Sequence, residues 1–366
     1  MVKVAKYKRN LFRRDNKFII IVIIILFAVV LAITYFYALS VKSDERVGLQ
    51  DRLASIERNI VSGGPPKDGI PPVDKPRYVS LREADSFLHD NDIVFGVNHN
   101  GFIAAYPQKI LVWHEIVNDN FTGNNVSVTY CPLTGSVIGF KGKFNSQETT
   151  FGTSGKLVNS NLVMYDRISD SYWPQILGVA VKGPDKGKKL DEFPVVWTTW
   201  GKWNKAFPET KVLSKTTGFI RAYGNDPYGS YDSGETYYQQ GDPFFPVMTK
   251  SNLFQPKEVF IGIEDGTNAL AVRKDAIRVE KVINTLLGSK EIVVIYDKEL
   301  DDALAFKNNG RKFRYQDSKV IDDSGSVWSI WGISDKSERL EFVNSFNVMW
   351  FAWYAFYTET EIYTGD

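Results

Sequence analysis

From Ile93 onward the apolar residues recur mostly at every second position, in short runs closed by Gly, Asn, Asp or Pro, which is the pattern of half-buried β-strands. Ile93–Val97 and Phe102–Tyr106 flank Asn98-His99-Asn100-Gly101 and read as a hairpin, with Pro107 ending it. Val126–Tyr130 reads as a further strand that stops at Cys131-Pro132-Leu133-Thr134-Gly135. Two stretches depart from this period. Ser80 followed by Glu83 has capping-box spacing and predicts a helix from Ser80 to Phe87. Phe346, Met349, Trp350, Trp353 and Phe356 fall at helical spacing and predict a buried aromatic helix that closes the core between two halves. Ile110–Val117 fits either a strand or a short helical turn.

Upstream the pattern changes. Residues 18–39 form an uncharged run, mostly of Ile, Val, Leu, Phe and Ala, long enough to cross a bilayer core of about 30 Å. Residues 1–17 carry Lys3, Lys6, Lys8, Arg9, Arg13, Arg14 and Lys17, a basic tail that positive-inside bias keeps in the cytoplasm, so the rest lies outside. The run is longer than the apolar region of a cleaved signal peptide, and Tyr37-Ala38-Leu39-Ser40 matches a cleavage site poorly, so an uncleaved anchor is expected. Residues 40–76 then divide into an amphipathic stalk, with Leu49, Leu53, Ile56 and Ile60 on one face, and the Gly/Pro-rich Gly63–Pro72, a linker or extended strap.

Comparison of the chain with itself aligns Gly96 with Gly262, Asn118 with Asn284, Tyr130 with Tyr296 and Phe140 with Phe306, all at one constant spacing. The expected architecture is therefore mainly β (a β-rich α+β fold): two similar β-rich units from an internal duplication, residues 77–240 and 241–366, after one transmembrane helix. At the same spacing His114 meets Glu280 and Cys131 meets Asp297, so the chemistry would sit in the first unit and the second would be scaffold.

Composition narrows the function classes. Lys+Arg 44 against Asp+Glu 43 leaves a formal charge of +1, with no basic field outside the N-terminal tail, which argues against nucleic-acid binding. A single cysteine excludes an intrachain disulfide and any Cys-rich metal site. With 43% hydrophobic and 14% aromatic residues, stability rests on packing.

The candidate chemistry gathers between Trp113 and Arg167. Cys131 and His114 are the candidate catalytic pair, a thiol at a strand end and a possible base; the competing reading of a lone cysteine is a small buried hydrophobe. Asn118, Asp119, Ser154, Asn159, Asn161, Asp166 and Arg167 are candidate ligand-binding residues, because so many polar groups among apolar strands must find partners. Expected is one cavity that gathers His114, Cys131, Asn161, Asp166 and Arg167. His114 and Cys131 have no fixed metal-ligand spacing, so metal and cofactor stay unknown. The aromatic, turn-rich stretch from Trp197 to Tyr238 could stack on sugars or could equally be core.

Four stretches, Gly63–Pro71, Trp113–Asp119, Tyr130–Gly135 and Asn161–Arg167, together with the aromatic ending Trp350–Tyr357, resemble the domain of unknown function 3179 family over about residues 63–363. The family's activity is unassigned, so the resemblance implies a membrane-anchored, extracytoplasmic protein and no reaction. Many relatives carry a second cysteine where this chain has Thr134, which argues against a dithiol or two-thiolate metal role here. Two functions remain open at this level. One is a membrane-anchored binding or structural module with a polar site around Cys131; the other is an extracytoplasmic enzyme using Cys131 with His114.

Overall fold

The computed structural model describes residues 20, 21, 23, 24, 26–31, 34, 35 and 48–365, apart from 100, 145, 146, 232 and 233. Contacts divide the chain into Met1–Ser55 and Ile56–Asp366. In the first, the described residues of 20–35 are helical. The expected span 18–39 lies in good part outside the described residues, and among the described residues no helix is long and apolar enough to cross a membrane. Of the expected stalk, residues 48–58 are helical and 41–47 lie outside the described residues.

Ile56–Asp366 is β-rich, with its strands grouped in several sheets. In its N-terminal part, one sheet runs in the order Val196–Thr199, Ile93–His99, Phe102–Pro107, Lys211–Leu213, Tyr78–Val79. A second runs Glu192–Phe193, Ser136–Lys141, Asn124–Cys131, Ile116–Phe121, and a third Val61–Ser62, Phe151–Val158, Asn161–Asp166, Tyr172–Pro174. In the C-terminal part the orders are Ser345–Met349, Val259–Glu264, Ala269–Arg273, Glu361–Tyr363; then Val282–Leu287, Lys290–Asp297, Asp302–Lys307, Phe342–Val343; then Phe313–Gln316, Lys319–Asp322, Val327–Trp328.

The hairpin forms as its alternation demands: Phe95 pairs with Tyr106 and Val97 with Ala104. The capping box forms too. Glu83 accepts the Ser80 backbone N–H at 3.0 Å and the Ser80 hydroxyl at 2.8 Å, and starts the short helix Leu81–Ala84. The ambiguous stretch resolves into both alternatives, helix Gln108–Leu111 and then strand Ile116–Phe121.

The aromatic C-terminus corrects the expectation. Ser345–Met349 is a fully buried strand, paired with Val259–Ile263, and the helix begins only at Trp350. Phe346 and Met349 suit a helical period, but Phe346 and Val348 suit a strand equally, and the ladder offered by Val259–Glu264 decides. The helix Trp350–Phe356 then lays Trp353 over Gly262, where a Cβ would fall 2.4 Å from the ring; Trp203 covers Gly96 in the same way, at 2.0 Å. One buried cluster runs from Val94, Ala105, Trp200 and Trp203 to Val293, Ile295, Leu304 and Phe306, so the two parts share a core.

The Gly/Pro segment is a strap rather than a free linker. The Gly63 N–H donates to Gly155 O at 2.9 Å, Asp68 N–H to Thr153 O at 2.8 Å and Val73 N–H to Ile116 O at 2.9 Å. Gly155 has φ +69, and a Cβ there would lie 2.1 Å from Pro65 O, so the strap needs a glycine beneath it.

Candidate functional site

Cys131 closes the strand Asn124–Cys131, paired with Ser136 across the turn made by Pro132 to Gly135. Its thiol is buried, with the Leu162 N–H 3.4 Å from Sγ and Ser160 O 3.9 Å away. Burial pushes the thiol up to about 11, and the nearby Glu115 carboxyl pushes in the same direction, against weaker help from Thr134 and the Leu162 N–H. The neighbouring titratable group is thus a carboxyl, whereas an activated thiol needs a cation or a base. At neutral pH this group is a protonated thiol.

Glu115, which follows His114 in the chain, joins Cys131 at this centre. It adopts a left-handed backbone, φ 59, between the helix Gln108–Leu111 and the strand Ile116–Phe121. Its N–H donates to Leu111 O at 2.6 Å and its carbonyl accepts the Tyr130 N–H at 2.7 Å. The side chain is buried, and burial alone pushes its carboxyl up to about 8. The only sequence signal for it was a charge placed directly before the apolar Ile116-Val117.

Between Leu213 and Val259 the chain forms no strand or helix among the described residues, yet it is bound down at many points over this centre. Such a length of irregular chain within a compact unit is commonly a functional cover. The Tyr231 and Tyr238 rings stack 3.7 Å apart, and Tyr231 Oη lies 2.9 Å from Tyr130 Oη. Tyr237 donates to Leu133 O at 2.7 Å, beside Cys131, and the Lys257 ammonium sits 3.3 Å above the Tyr237 ring. Asp226 accepts from Gln108 at 2.7 Å and from the Tyr238 hydroxyl at 2.8 Å. Ser160 donates to Phe245 O at 2.7 Å, and Asn159, itself at φ 52, accepts the Met248 N–H at 2.8 Å and donates to Ala355 O at 3.1 Å.

His114 is fully buried and engaged through both ring nitrogens: Nδ1 lies 2.7 Å from Pro71 O and Nε2 2.7 Å from Tyr223 Oη. Pro71 O can only accept, so Nδ1 carries the proton; burial lowers the imidazole's pKa and keeps it neutral, so Nε2 accepts from Tyr223. The ring therefore ties the strap to the cover.

The other candidate residues are spread along the sheets. Asn161 joins the Cys131 end: its amide donates to Thr134 at 3.1 Å and to Gln175 at 2.9 Å, and its carbonyl oxygen accepts the Ile176 N–H at 2.9 Å. Ser154 donates to Val163 O. Asn118 bridges sheets, donating to Phe151 O at 2.8 Å and accepting its N–H at 3.0 Å, and it also donates to Asp74 at 2.7 Å. Asp119 accepts from the hydroxyls of Tyr78 and, at 2.6 Å, Tyr106. Asp166 lies at the far end of the strand from Asn161. It is caged by the N–H groups of Ile168 at 3.1 Å, Ser169 at 2.7 Å and Ser171 at 3.1 Å, and by the Trp173 indole at 3.0 Å. Arg167 is part-exposed and pairs with Asp74 at 2.7 Å. The structure thus brings Asn161 towards Cys131 and leaves His114, Asp166 and Arg167 in other networks. Among the described residues no group of three or more His, Cys, Asp or Glu could hold a metal ion.

Several of these arrangements recur in the C-terminal part. Asn284 exchanges hydrogen bonds with Phe313 at 2.8 and 2.9 Å as Asn118 does with Phe151. Asp322 holds the Trp328 indole at 3.0 Å as Asp166 holds Trp173. Lys281 has φ 67 and its carbonyl accepts the Tyr296 N–H at 3.0 Å, matching the backbone of Glu115 with Tyr130. Where Glu115 and Cys131 are buried, however, Lys281 and Asp297 are part-exposed.

No curated protein and no solved structure matches the chain. A family model described as "Protein of unknown function (DUF3179)" matches residues 67–360, a span that begins within the strap and holds the cover and every sheet strand except Val61–Ser62 and Glu361–Tyr363. The chain belongs to that family.

Proposed function

We propose that this chain is a membrane-anchored, extracytoplasmic ligand-binding module, in which two copies of one β-rich unit pack together and the first carries a covered polar centre at Glu115 and Cys131. The observation that carries the reading is the Glu115 carboxyl, buried and pushed up to about 8 by that burial, beside a thiol held protonated. Such a pair offers hydrogen bonds to a ligand and is poorly suited to attack one, since nucleophilic catalysis needs the thiolate. The thiol-enzyme alternative would need His114 or Arg167 at Cys131, and both are committed elsewhere.

Duplication is supported by the constant spacing in sequence and by the recurrent Asn–Phe, Asp–Trp and Gly–Trp arrangements, and the buried charge at Glu115 then marks where the copies diverged. Membrane anchoring is supported by the basic tail before the apolar run 18–39. Two measurements test the reading. Protease added to intact cells or spheroplasts should remove the β-rich part, and full protection would contradict the orientation. Loosening the cover with Tyr237→Phe should raise the alkylation rate of Cys131 in the folded chain several-fold; an unchanged rate would show that the segment 214–258 does not close the centre.

A further inference from the structure

Beside the covered centre, and sharing Tyr231 with its cover, a cavity of about 310 Å³ opens between the two parts of the β-rich unit, at the small end of the range of about 300–1,000 Å³ for ligand pockets. Trp197 and Tyr231 give it an aromatic wall, with the rings 5.3 Å apart and edge to face; Trp197 is braced from behind by Phe95 at 4.9 Å. Asn347 enters from the other side. Its Nδ2 donates to Asp302 at 2.8 Å, and the same carboxylate accepts the Trp197 N–H at 2.7 Å, so Asp302 fixes the amide and the aromatic wall relative to each other. Asn347 is 2% exposed and its Oδ1 has no hydrogen-bond partner among the described residues. A buried carbonyl oxygen without a donor costs free energy, and the residue that carries it borders the cavity.

The cations that line the cavity are already neutralised. Arg273 pairs with Glu258 at 3.0 Å, Arg278 makes two bonds of 2.9 Å with Asp301, and Lys274 lies 3.6 Å from Asp302. Asp275 lines the cavity as well, 3.3 Å from Arg278, so no cation of the lining is left unpaired to select an anion. What remains is an aromatic surface, a fixed acceptor in need of a donor, and a rim of paired guanidinium and carboxylate groups that can each donate or accept further bonds. That combination fits a ring with an apolar C–H face and several hydroxyls.

We infer that this cavity binds an uncharged, hydroxyl-rich ligand of monosaccharide size, stacked on Trp197 and donating a hydroxyl to Asn347 Oδ1. The inference goes beyond the Glu115–Cys131 reading and does not depend on it. Asn347→Ala removes the acceptor, Trp197→Ala removes the wall, and Arg273→Met, which breaks a part-exposed ion pair, is a milder change at the rim for the case in which either fails to fold. The full-length chain is titrated with glucose, galactose, mannose and N-acetylglucosamine, and separately with inorganic phosphate, with binding read from tryptophan fluorescence and from saturation transfer to the sugar protons. At least one sugar should bind saturably, with affinity lowered tenfold or more in the folded Asn347→Ala or Trp197→Ala chain, or measurably by Arg273→Met, and left unchanged by Arg167→Ala. The inference is overturned if none of the four sugars binds, if binding survives the cavity substitutions, or if phosphate binds in their place. Cys131→Ser should leave sugar binding intact, so failure here and failure of the covered centre are separable.

Discussion

Gly96 lies directly beneath the Trp203 ring, so closely that a Cβ at that position would fall 2.0 Å from its Cζ3 atom. Gly262 stands under Trp353 in the same way, at 2.4 Å. Both tryptophans are buried and point their indole N–H at a threonine, Trp203 to Thr210 at 3.0 Å and Trp353 to Thr360 at 2.9 Å. Gly96→Ala and Gly262→Ala should therefore each destabilise the fold by about 1–3 kcal/mol or more, the usual cost of overpacking. Urea denaturation measures it, and a loss well under 1 kcal/mol at both sites would mean that the rings are not seated as described.

Asp166 and Arg167 are neighbours in sequence with different expected weight. Removing the buried Asp166 leaves three backbone N–H groups and the Trp173 indole without their acceptor, so Asp166→Ala should cost about 1–3 kcal/mol or more. Arg167→Ala breaks an ion pair whose side chains are 31% and 45% exposed, and should cost about 0–1 kcal/mol. The same denaturation series separates them, and a larger loss at Arg167 would reverse the assignment.

Glu115 makes stability depend on pH. Its folded pKa, about 8, lies above the ordinary carboxyl value of 4.5, so between these limits the folded chain holds a proton that the unfolded chain has released. The contribution of this group to stability therefore falls as pH rises from about 4.5 to about 8 and is level beyond that. Glu115→Gln removes the dependence and should stabilise the chain at pH 8 by on the order of a few kcal/mol, since each unit of displacement is worth about 1.36 kcal/mol. Glu192, also pushed up to about 8 by burial, adds a slope of the same sign in both chains and cancels in the comparison. An unchanged pH profile in Glu115→Gln would show that the carboxyl is hydrated in the folded chain.

The bond between His114 and Tyr223 predicts how the cover is fastened. Tyr223→Phe removes the donor to Nε2 and leaves a buried acceptor, which should cost about 1–3 kcal/mol locally and speed limited proteolysis within residues 214–258. Cleavage at the wild-type rate would place the fastening elsewhere.

What could be read from the sequence was local. The Ser80–Glu83 cap and the hairpin around Gly101 depend on residues close in the chain, and both form, although the helix ends at Ala84 rather than Phe87 and Asn98 and His99 join the strand rather than the turn. The strand Ser345–Met349 was missed because its alternation coincides with a helical period, and only pairing with Val259–Ile263, distant in sequence, selects the strand. The polar residues were correctly noticed as needing partners, but the partners were not legible: Asn159 bonds to Ala355 and Met248, and Arg167 to Asp74. Glu115 was passed over since nothing local shows that a carboxylate will be buried. Trp197 and Asn347 meet only through Asp302, which no spacing in the chain reveals.

The pH dependence of Cys131 alkylation in the folded, full-length chain tests the covered centre most directly. With the thiol pushed up to about 11 by burial and by Glu115, reaction with iodoacetamide should be far slower at pH 7 than for the same chain in denaturant, and should rise only well above pH 9, unless Tyr237→Phe opens the cover. A folded chain whose Cys131 reacts as fast as a free thiol near neutral pH, with a midpoint at or below the ordinary value of 9.0, would contradict the account and restore Cys131 as a nucleophile.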